Sequence, residues 1–200
     1  MRATTVFGLT AALGLAVVGC KNENGLVEQS GSDTWRQAAN NKVDILFVVD
    51  DSQSMEQEQA TLATGFVSFG NRLEESGTDF HLGVITTTFE YDDPDRGKLI
   101  GDPLFLTNED VDYVAQFAVR AQVGTDGEDK EKGLEAASYA LSPIANLDMN
   151  GGFVRSDARL LVVFVSDEED CSDEGALGFR EAADCYREPQ LLVPVAEYVS

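Results

Sequence analysis

The feature that most constrains this chain is an apolar run at residues 43–49, which reads VDILFVV. Four of its seven residues are β-branched and only one is charged, which is typical of a strand that is buried on both faces. A second apolar run, LLVVFV, lies within residues 159–166. The two runs therefore predict buried strands, and the first is expected to be central in its sheet.

Helical patterns separate the predicted strands. Within residues 55–75, apolar residues recur at spacings of four, three and four, which predicts an amphipathic helix. Ser54 and Gln57 have the spacing of a capping box at its start, and Gly77 follows its end. The other predicted elements are a strand at 80–87, two short β-prone pieces at 98–100 and 104–106, and helices at 109–119, 131–141 and from 189 onward. The alternation predicts an α/β fold with a doubly wound, mostly parallel open sheet that is flanked by helices.

The charge of the chain excludes some classes of partner. Its 200 residues include 14 Lys and Arg against 36 Asp and Glu, which gives a formal net charge of −22. Such a chain repels phosphate backbones and anionic membrane surfaces, so we expect no nucleic-acid partner. The hydrophobic fraction of 43% is ordinary for a globular protein, so the acids do not indicate disorder. They either solvate an exported protein or bind a cation.

The N-terminus has the features of a secretory signal peptide, residues 1–19. Its most apolar part, residues 6–18, is too short to span a bilayer. The ending VVGC resembles the lipobox of bacterial lipoproteins, which implies that Cys20 is the lipidated first residue of the mature chain. A plain secretory signal is the alternative. Because Lys21 follows the cysteine where an aspartate would indicate inner-membrane retention, the resemblance implies a lipid anchor in the outer membrane of the cell envelope.

The polar residues 20–41 predict a tether, so the folded domain is expected to occupy residues 42–200. Lipidation of Cys20 leaves two further cysteines, Cys171 and Cys185, in an oxidising compartment. We expect a disulfide between them. A metal or redox pair is the alternative, although the spacing is not CxxC.

Acidic residues follow the predicted strands, at the edge where open α/β sheets bind ligands. The sequence DDSQS comes directly after the first strand and contains Asp50, Ser52 and Ser54, whose alternating positions allow their oxygens to converge. Hard oxygen ligands suit Mg²⁺, Mn²⁺ and Ca²⁺. Taken alone, the same residue types are also typical of a helix N-cap.

Three separated segments, FVVDDSQSM, VGTDGEDKEKGLEAA and LLVVFVSDEED, together resemble the von Willebrand factor type A domain over roughly residues 42–200. The metal-ion-dependent adhesion site of that family combines a DxSxS motif, a threonine on a separate loop and an aspartate after a later strand. The metal ligands that the resemblance implies here are Asp50, Ser52, Ser54, Thr125 and Asp167.

The resemblance implies a function as well as a site. The expected cation is Mg²⁺, with Mn²⁺ and Ca²⁺ as alternatives, and it keeps a coordination position for a carboxylate from a protein ligand. We therefore expect a binding module and not an enzyme, joined to the membrane through its lipid anchor. The family normally continues with one more strand and helix, so residues 42–200 are expected to lack the C-terminal edge of the sheet.

Two other functions remain open. Aspartyl phosphatases carry their nucleophile at the end of a buried strand, as Asp50 does here, which makes metal-dependent phosphoryl transfer an alternative. Those enzymes generally use DxD, whereas Ser52 stands at the third position of this motif. The remaining alternative is a structural acidic surface lipoprotein that binds Ca²⁺ nonspecifically.

Overall fold

The computed structural model describes residues 41–128, 130–178 and 183–199. The predicted signal peptide at residues 1–19, the predicted lipidation site Cys20 and the predicted tether up to residue 40 lie outside the described residues. All but the first of the described residues therefore belong to the predicted domain.

A four-stranded sheet is the centre of the fold. The strands are β1 (Lys42–Val49), β2 (Asp79–Thr86), β3 (Leu106–Thr107) and β4 (Arg159–Val165). Their order across the sheet is β3-β2-β1-β4. The pairs β1·β2 and β1·β4 are parallel, and the two-residue β3 lies antiparallel to β2. The prediction of an α/β fold with a mostly parallel open sheet is confirmed, and β1 has a strand on either side, as predicted.

Six α-helices and two short 3-10 turns are present in the described ranges. The helices are α1 (Glu56–Ser76), α2 (Tyr113–Arg120), α3 (Gly133–Leu141), α4 (Pro143–Asp148), α5 (Asp184–Arg187) and α6 (Val195–Tyr198), and the turns lie at Gln53–Met55 and Pro189–Leu191. The first three helices confirm the helices that the apolar periodicity predicted, and their ends agree with the predicted ends to within a few residues. The helix expected from residue 189 onward is instead the second turn followed by α6. None of these described helices is both long and apolar enough to cross a bilayer.

The C-terminal end of α1 agrees with the prediction, whereas its N-terminal end does not. Gly77 ends the helix in the left-handed region at φ 61°, as predicted. The prediction of a capping box formed by Ser54 and Gln57 is wrong, because Met55 is the N-cap residue and no side chain caps the helix. The hydroxyl of Ser54 instead contacts Ser52 and Asp167.

Helices cover both faces of the sheet, as a doubly wound fold requires. Successive side chains of a strand point to opposite faces, so Phe47 contacts α1 and α2 while its neighbour Leu46 packs toward α3. On the first face, Phe66 and Phe117 stack with ring centroids 3.6 Å apart. On the second face, the alanines of α3 allow the helix to pack closely. The resulting double coverage explains why β1 is buried along six consecutive residues.

Strand β4 departs from the prediction of a buried strand. Leu160, Leu161 and Phe164 are 48%, 43% and 46% exposed. The reason is the position of the strand: β4 pairs with β1 on one side and is the last strand of the described sheet on the other. A strand buries its side chains only when its neighbours and covering helices extend past it, and β4 lies at the edge.

Candidate metal centre

The candidate site lies where the chain order reverses within the sheet. From β1 the chain passes to β2 on one side and later returns to β4 on the other side of β1. The crevice at the carboxyl ends of two such strands is the usual ligand site of an open α/β sheet. Asp50 follows β1 directly, and Asp167 lies two residues beyond the end of β4. The backbone N–H of Asp50 donates to the carbonyl of Val165 at 2.9 Å, which holds the two strand ends together.

Four of the five predicted ligands form a continuous chain of polar contacts. The backbone N–H of Ser52 donates to Oδ1 of Asp50 at 2.8 Å. The hydroxyl oxygens of Ser52 and Ser54 are 3.1 Å apart, and the Ser54 hydroxyl donates to Oδ1 of Asp167 at 3.1 Å. Asp50 and Ser52 are buried, whereas Ser54 and Asp167 are exposed. The chain of polar contacts therefore runs from the protein interior to solvent.

Ser166 adds a contact that the sequence reasoning did not assign. Its hydroxyl donates to Oδ2 of Asp50 at 2.6 Å and accepts from the backbone N–H of Glu168 at 3.0 Å. Both carboxylate oxygens of Asp50 are thus oriented, one by Ser52 and the other by Ser166. The only sequence signal was the position of this serine between β4 and Asp167.

The loop that carries Thr125 is held against the site through other residues. Gln59 of α1 is buried, and its amide nitrogen donates to the carbonyls of Asp50 at 2.8 Å and Gly124 at 2.7 Å. The backbone N–H of Gly124 donates back to the Gln59 side chain at 3.3 Å. No hydrogen bond joins the Thr125 side chain itself to the other four predicted ligands within the part of the chain that the structure describes. Gln59 therefore places the threonine loop beside Asp50, and the link is made by Gln59 and not by a hydrogen bond of the Thr125 side chain.

A close backbone approach holds the same loop at a second point. The N–H of Gly127 donates to the carbonyl of Asp51 at 2.8 Å. A Cβ atom at residue 127 would lie 2.4 Å from Cγ of Asp51, which no real Cβ contact permits. The carboxylate of Asp51 also accepts from the hydroxyl of Thr88 at 3.0 Å, and Thr88 in turn accepts from the N–H of Glu128 at 3.1 Å. Glycine is therefore required where this loop meets the DxSxS turn.

Unbalanced negative charge surrounds the candidate site. Burial is the largest cause that raises the pKa of Asp51, and the charge of Asp50 adds to it. Burial likewise raises the pKa of Glu131 to about 8, against a hydrogen bond from Thr87 that lowers it, and repulsion from Asp50, Asp51 and Glu168 raises it further. Glu131 is 2% exposed, and its Oε1 has no hydrogen-bond partner among the residues that the structure describes. A divalent cation near these carboxylates would favour their ionised forms.

Two oxygen–oxygen distances in the site, each also an ordinary hydrogen-bond length, match the spacing of ligands around a small cation. Ligands at right angles about 2.1 Å from Mg²⁺ lie about 3 Å from each other, and the two hydroxyl contacts along Ser52, Ser54 and Asp167 are both 3.1 Å. No group of three or more His, Cys, Asp or Glu side chains in the described residues is arranged to hold a metal. A cation here would therefore need the serine hydroxyls as well as the carboxylates.

The two remaining cysteines lie beyond this site. Cys171 and Cys185 stand within disulfide distance, with Cα atoms 5.6 Å apart. Both are buried in a small apolar cluster with Leu177. Their segment is joined to the loop before α3, because the N–H of Cys171 donates to the carbonyl of Glu131 at 2.6 Å.

Neither a model of a known protein family nor a curated protein sequence matches this chain. The likeness to the von Willebrand factor type A domain therefore rests on the three motifs and remains a resemblance.

Proposed function

We propose that residues 42–200 are a binding domain that captures a protein ligand through a divalent cation, in the manner of the von Willebrand factor type A family that the motifs resemble. One observation carries the proposal: Asp50, Ser52, Ser54 and Asp167 are joined by hydrogen bonds at the switch point of the sheet, the first through the backbone N–H of Ser52 and the others between side-chain oxygens. Such a set suits Mg²⁺, with Mn²⁺ or Ca²⁺ as alternatives.

Each residue has a distinct role in this proposal. Asp50, Ser52 and Ser54 are the near ligands of the cation, and Thr125 and Asp167 bind it directly or through water. Two carboxylates nearly neutralise the cation, which when bound offers a positive centre to a carboxylate of the ligand. Ser166 and Gln59 bind no cation, and they orient the Asp50 carboxylate and position the Thr125 loop. A cation is needed because an acidic ligand would otherwise be repelled by a chain of net charge −22.

The proposal includes a place for the domain in the cell. Cys20, the first residue after the predicted signal peptide, would carry the lipid, and residues 20–41 would connect it to the domain. We place the protein in the cell envelope, on the outer membrane. Mass spectrometry of the mature chain tests this directly, since it should begin at Cys20 and carry the mass of acyl chains.

Metal binding is the first test of the function. Isothermal titration calorimetry with Mg²⁺, Mn²⁺ and Ca²⁺ should give one binding site per chain. Asp50→Asn should abolish that site, and Asp148→Asn, an equal loss of charge at an exposed residue of α4, should leave it intact. An unchanged titration in a folded Asp50→Asn variant would refute the site.

Ligand capture is the second test. Native envelope extract is passed over the wild-type chain and over Asp167→Ala, each in Mg²⁺ and in EDTA. A ligand of the proposed kind is retained only by the wild type in Mg²⁺. Equal retention in all four conditions would rule out metal-mediated binding even if the calorimetry had shown a cation.

A further inference from the structure

A cavity adjoins the candidate metal centre at the carboxyl end of β4. We call it the β4 cavity, after the strand whose Phe164 lines it together with Leu134 of α3 and Val195 of α6. Its volume is about 210 Å³, below the roughly 300–1,000 Å³ of small-molecule sites. A cavity of roughly 150 Å³ with aliphatic and aromatic walls already holds a benzene molecule. The β4 cavity therefore has room for one apolar side chain of another molecule.

The wall of the β4 cavity presents mostly apolar surface. Phe164 is 46% exposed and Val195 is 60% exposed, and Leu134 is half-buried. The ring of Phe164 is accessible because β4 is the last strand of the described sheet on that side. Covering accessible apolar surface is favourable in water, so this wall favours an apolar occupant.

The β4 cavity and the candidate metal centre share one short segment of the chain. Ser166 and Glu168 line the cavity, and the predicted ligand Asp167 lies between them. Ser166 also donates its hydroxyl to Oδ2 of Asp50 at 2.6 Å. Asp167 is exposed, so the cavity adjoins the solvent side of the candidate centre.

The titratable side chains that line the β4 cavity are all acids, namely Glu131, Glu168 and Asp170. Glu131 is 2% exposed. The carboxylate of Asp170 accepts the backbone N–H of Leu134 at 2.8 Å and that of Ser172 at 3.0 Å. These two acids therefore leave the wall mostly apolar, but a further carboxylate in the cavity would meet like charge. The cavity and a cation at the candidate centre thus select different side chains of a ligand.

One extended peptide can reach both places. Neighbouring Cα atoms of such a peptide are about 3.8 Å apart, and Cα atoms two residues apart are separated by about 6.7 Å. On the protein, Asp167 is the chain neighbour of both Ser166 and Glu168 in the cavity wall. A side chain one or two positions from a metal-bound carboxylate is therefore within reach of the cavity.

We propose that the β4 cavity takes an apolar side chain, of the size of leucine or phenylalanine, that lies one or two residues from the carboxylate bound by the cation. This inference rests on the proposed function, since the cation holds the other part of the same ligand. It narrows the ligand from any acidic protein to one with an accessible acid that is flanked by an apolar residue. The cavity supplies specificity, because a cation alone does not distinguish one carboxylate from another.

Calorimetry on the full chain with four peptides tests the proposal. The first peptide is acetyl-Gly-Leu-Asp-Leu-Gly-amide; in the others, alanine replaces both leucines, lysine replaces both leucines, or asparagine replaces the aspartate. In Mg²⁺ the leucine peptide should bind about tenfold more tightly than the alanine peptide, because one leucine side chain is partly buried. The asparagine peptide should not bind, and no peptide should bind in EDTA.

The outcomes separate the cavity from the metal centre. Equal Mg²⁺-dependent binding of the leucine and alanine peptides would refute the cavity and leave the metal centre standing. If no peptide showed Mg²⁺-dependent binding, the metal centre would be refuted and this inference with it. Tighter binding of the lysine peptide than of the leucine peptide would overturn the apolar occupant.

Two variants locate the apolar contact. Leu134→Ala and Val195→Ser each remove one apolar wall and should reduce the tenfold preference for the leucine peptide to about threefold. The affinity for the alanine peptide should not change, whereas damage to the metal centre would lower both affinities. Val119→Ser, at a residue of α2 that is 72% exposed on the other face of the sheet, should change neither affinity. A folded Leu134→Ala or Val195→Ser variant with the full preference would refute the assignment.

Sedimentation velocity without peptide tests a second copy of the chain as the occupant. The proposal expects Val195→Ser and the wild type to associate equally. Weaker association of Val195→Ser than of Val119→Ser would show that the cavity is filled by another copy and would overturn the proposal.

Discussion

At the scale of single residues, Gly127 is the most restrictive position near the candidate site. The Cβ of Gly127→Ala would lie 2.6 Å from Oδ1 and 2.8 Å from the backbone oxygen of Asp51. Because the backbone atom cannot rotate away, the loop carrying Thr125 must move. We expect a loss of about 1–3 kcal/mol in the free energy of unfolding, together with weaker Mg²⁺ binding. Urea unfolding and calorimetry measure the two effects.

Gly65 offers a matched control for that substitution. It lies inside α1, and a Cβ there would meet no atom within 4 Å. Gly65→Ala should therefore raise the free energy of unfolding by roughly 0.5–1 kcal/mol, since alanine loses less backbone entropy in a helix. If both variants lose stability to the same extent, the contact with Asp51 is not the cause.

Glu131 should make the stability of the protein depend on pH. Its pKa is about 8 in the folded chain, against an ordinary value of 4.5. Between these values the carboxyl is protonated when folded and ionised when unfolded, so the folded state binds more protons. The free energy of unfolding should therefore fall by roughly a few kcal/mol as pH rises from 4.5 to 8 without divalent cations. Urea unfolding across this window measures the slope.

The isosteric variant Glu131→Gln isolates this effect. Glutamine keeps an acceptor for Thr87 and cannot ionise, so the slope attributable to residue 131 should disappear. Glu58→Gln, at an exposed residue of α1, should retain the wild-type slope. The assignment fails if Glu131→Gln and wild type lose stability in parallel.

The residues foreseen from the sequence differ in kind from those that were missed. Asp50, Ser52 and Ser54 stand within one short motif, and the motif alone indicated their proximity. Gln59 was not identified because its contact with Gly124 spans 65 positions of the chain. Ser166 was missed for the same reason. Its hydrogen bond to Asp50 spans 116 positions of the chain and forms because β1 and β4 are neighbours in the sheet.

At the scale of elements, β1 and β4 show what hydrophobicity leaves undetermined. Their apolar runs are alike, and both were expected to be buried. In the described sheet β1 has a strand on each side and is buried, whereas β4 has a strand on one side and is half exposed. Composition identifies a strand that can be buried, but the order of strands across the sheet decides whether it is.

The exposed edge at β4 should promote self-association. Leu160→Lys places a charge on its most exposed apolar residue and should reduce concentration-dependent association, because charged side chains prevent edge-to-edge pairing. We expect the free energy of unfolding to change by no more than about 0.5 kcal/mol. Sedimentation velocity at several concentrations measures the association. The control Leu46→Lys, at a residue 0% exposed in β1, should unfold the protein. Unchanged association in Leu160→Lys would exclude this edge as the contact.

At the scale of the whole molecule, the net charge of −22 divides into two functions. Most acids of the described residues lie on the surface and repel one another, a general effect that any salt screens over a Debye length of about 10 Å at 0.1 M. Asp50 and Asp167 belong to the chain of hydrogen bonds at the strand ends. Any salt reduces the repulsion among the surface acids. The acids at the strand ends, in our proposal, require a divalent cation.

Melting temperatures at matched ionic strength separate these two contributions. NaCl should raise the melting temperature of the wild type and of Asp50→Asn alike, because both retain the acidic surface. MgCl₂ at the same ionic strength should add a further rise in the wild type only, since ligand binding to the folded state adds RT ln(1 + [L]/Kd) to stability. The matched variant Asp148→Asn should behave like the wild type. If Asp50→Asn kept the additional rise, the acids would act as a diffuse counterion surface, and the structural acidic lipoprotein would be the better description of the chain.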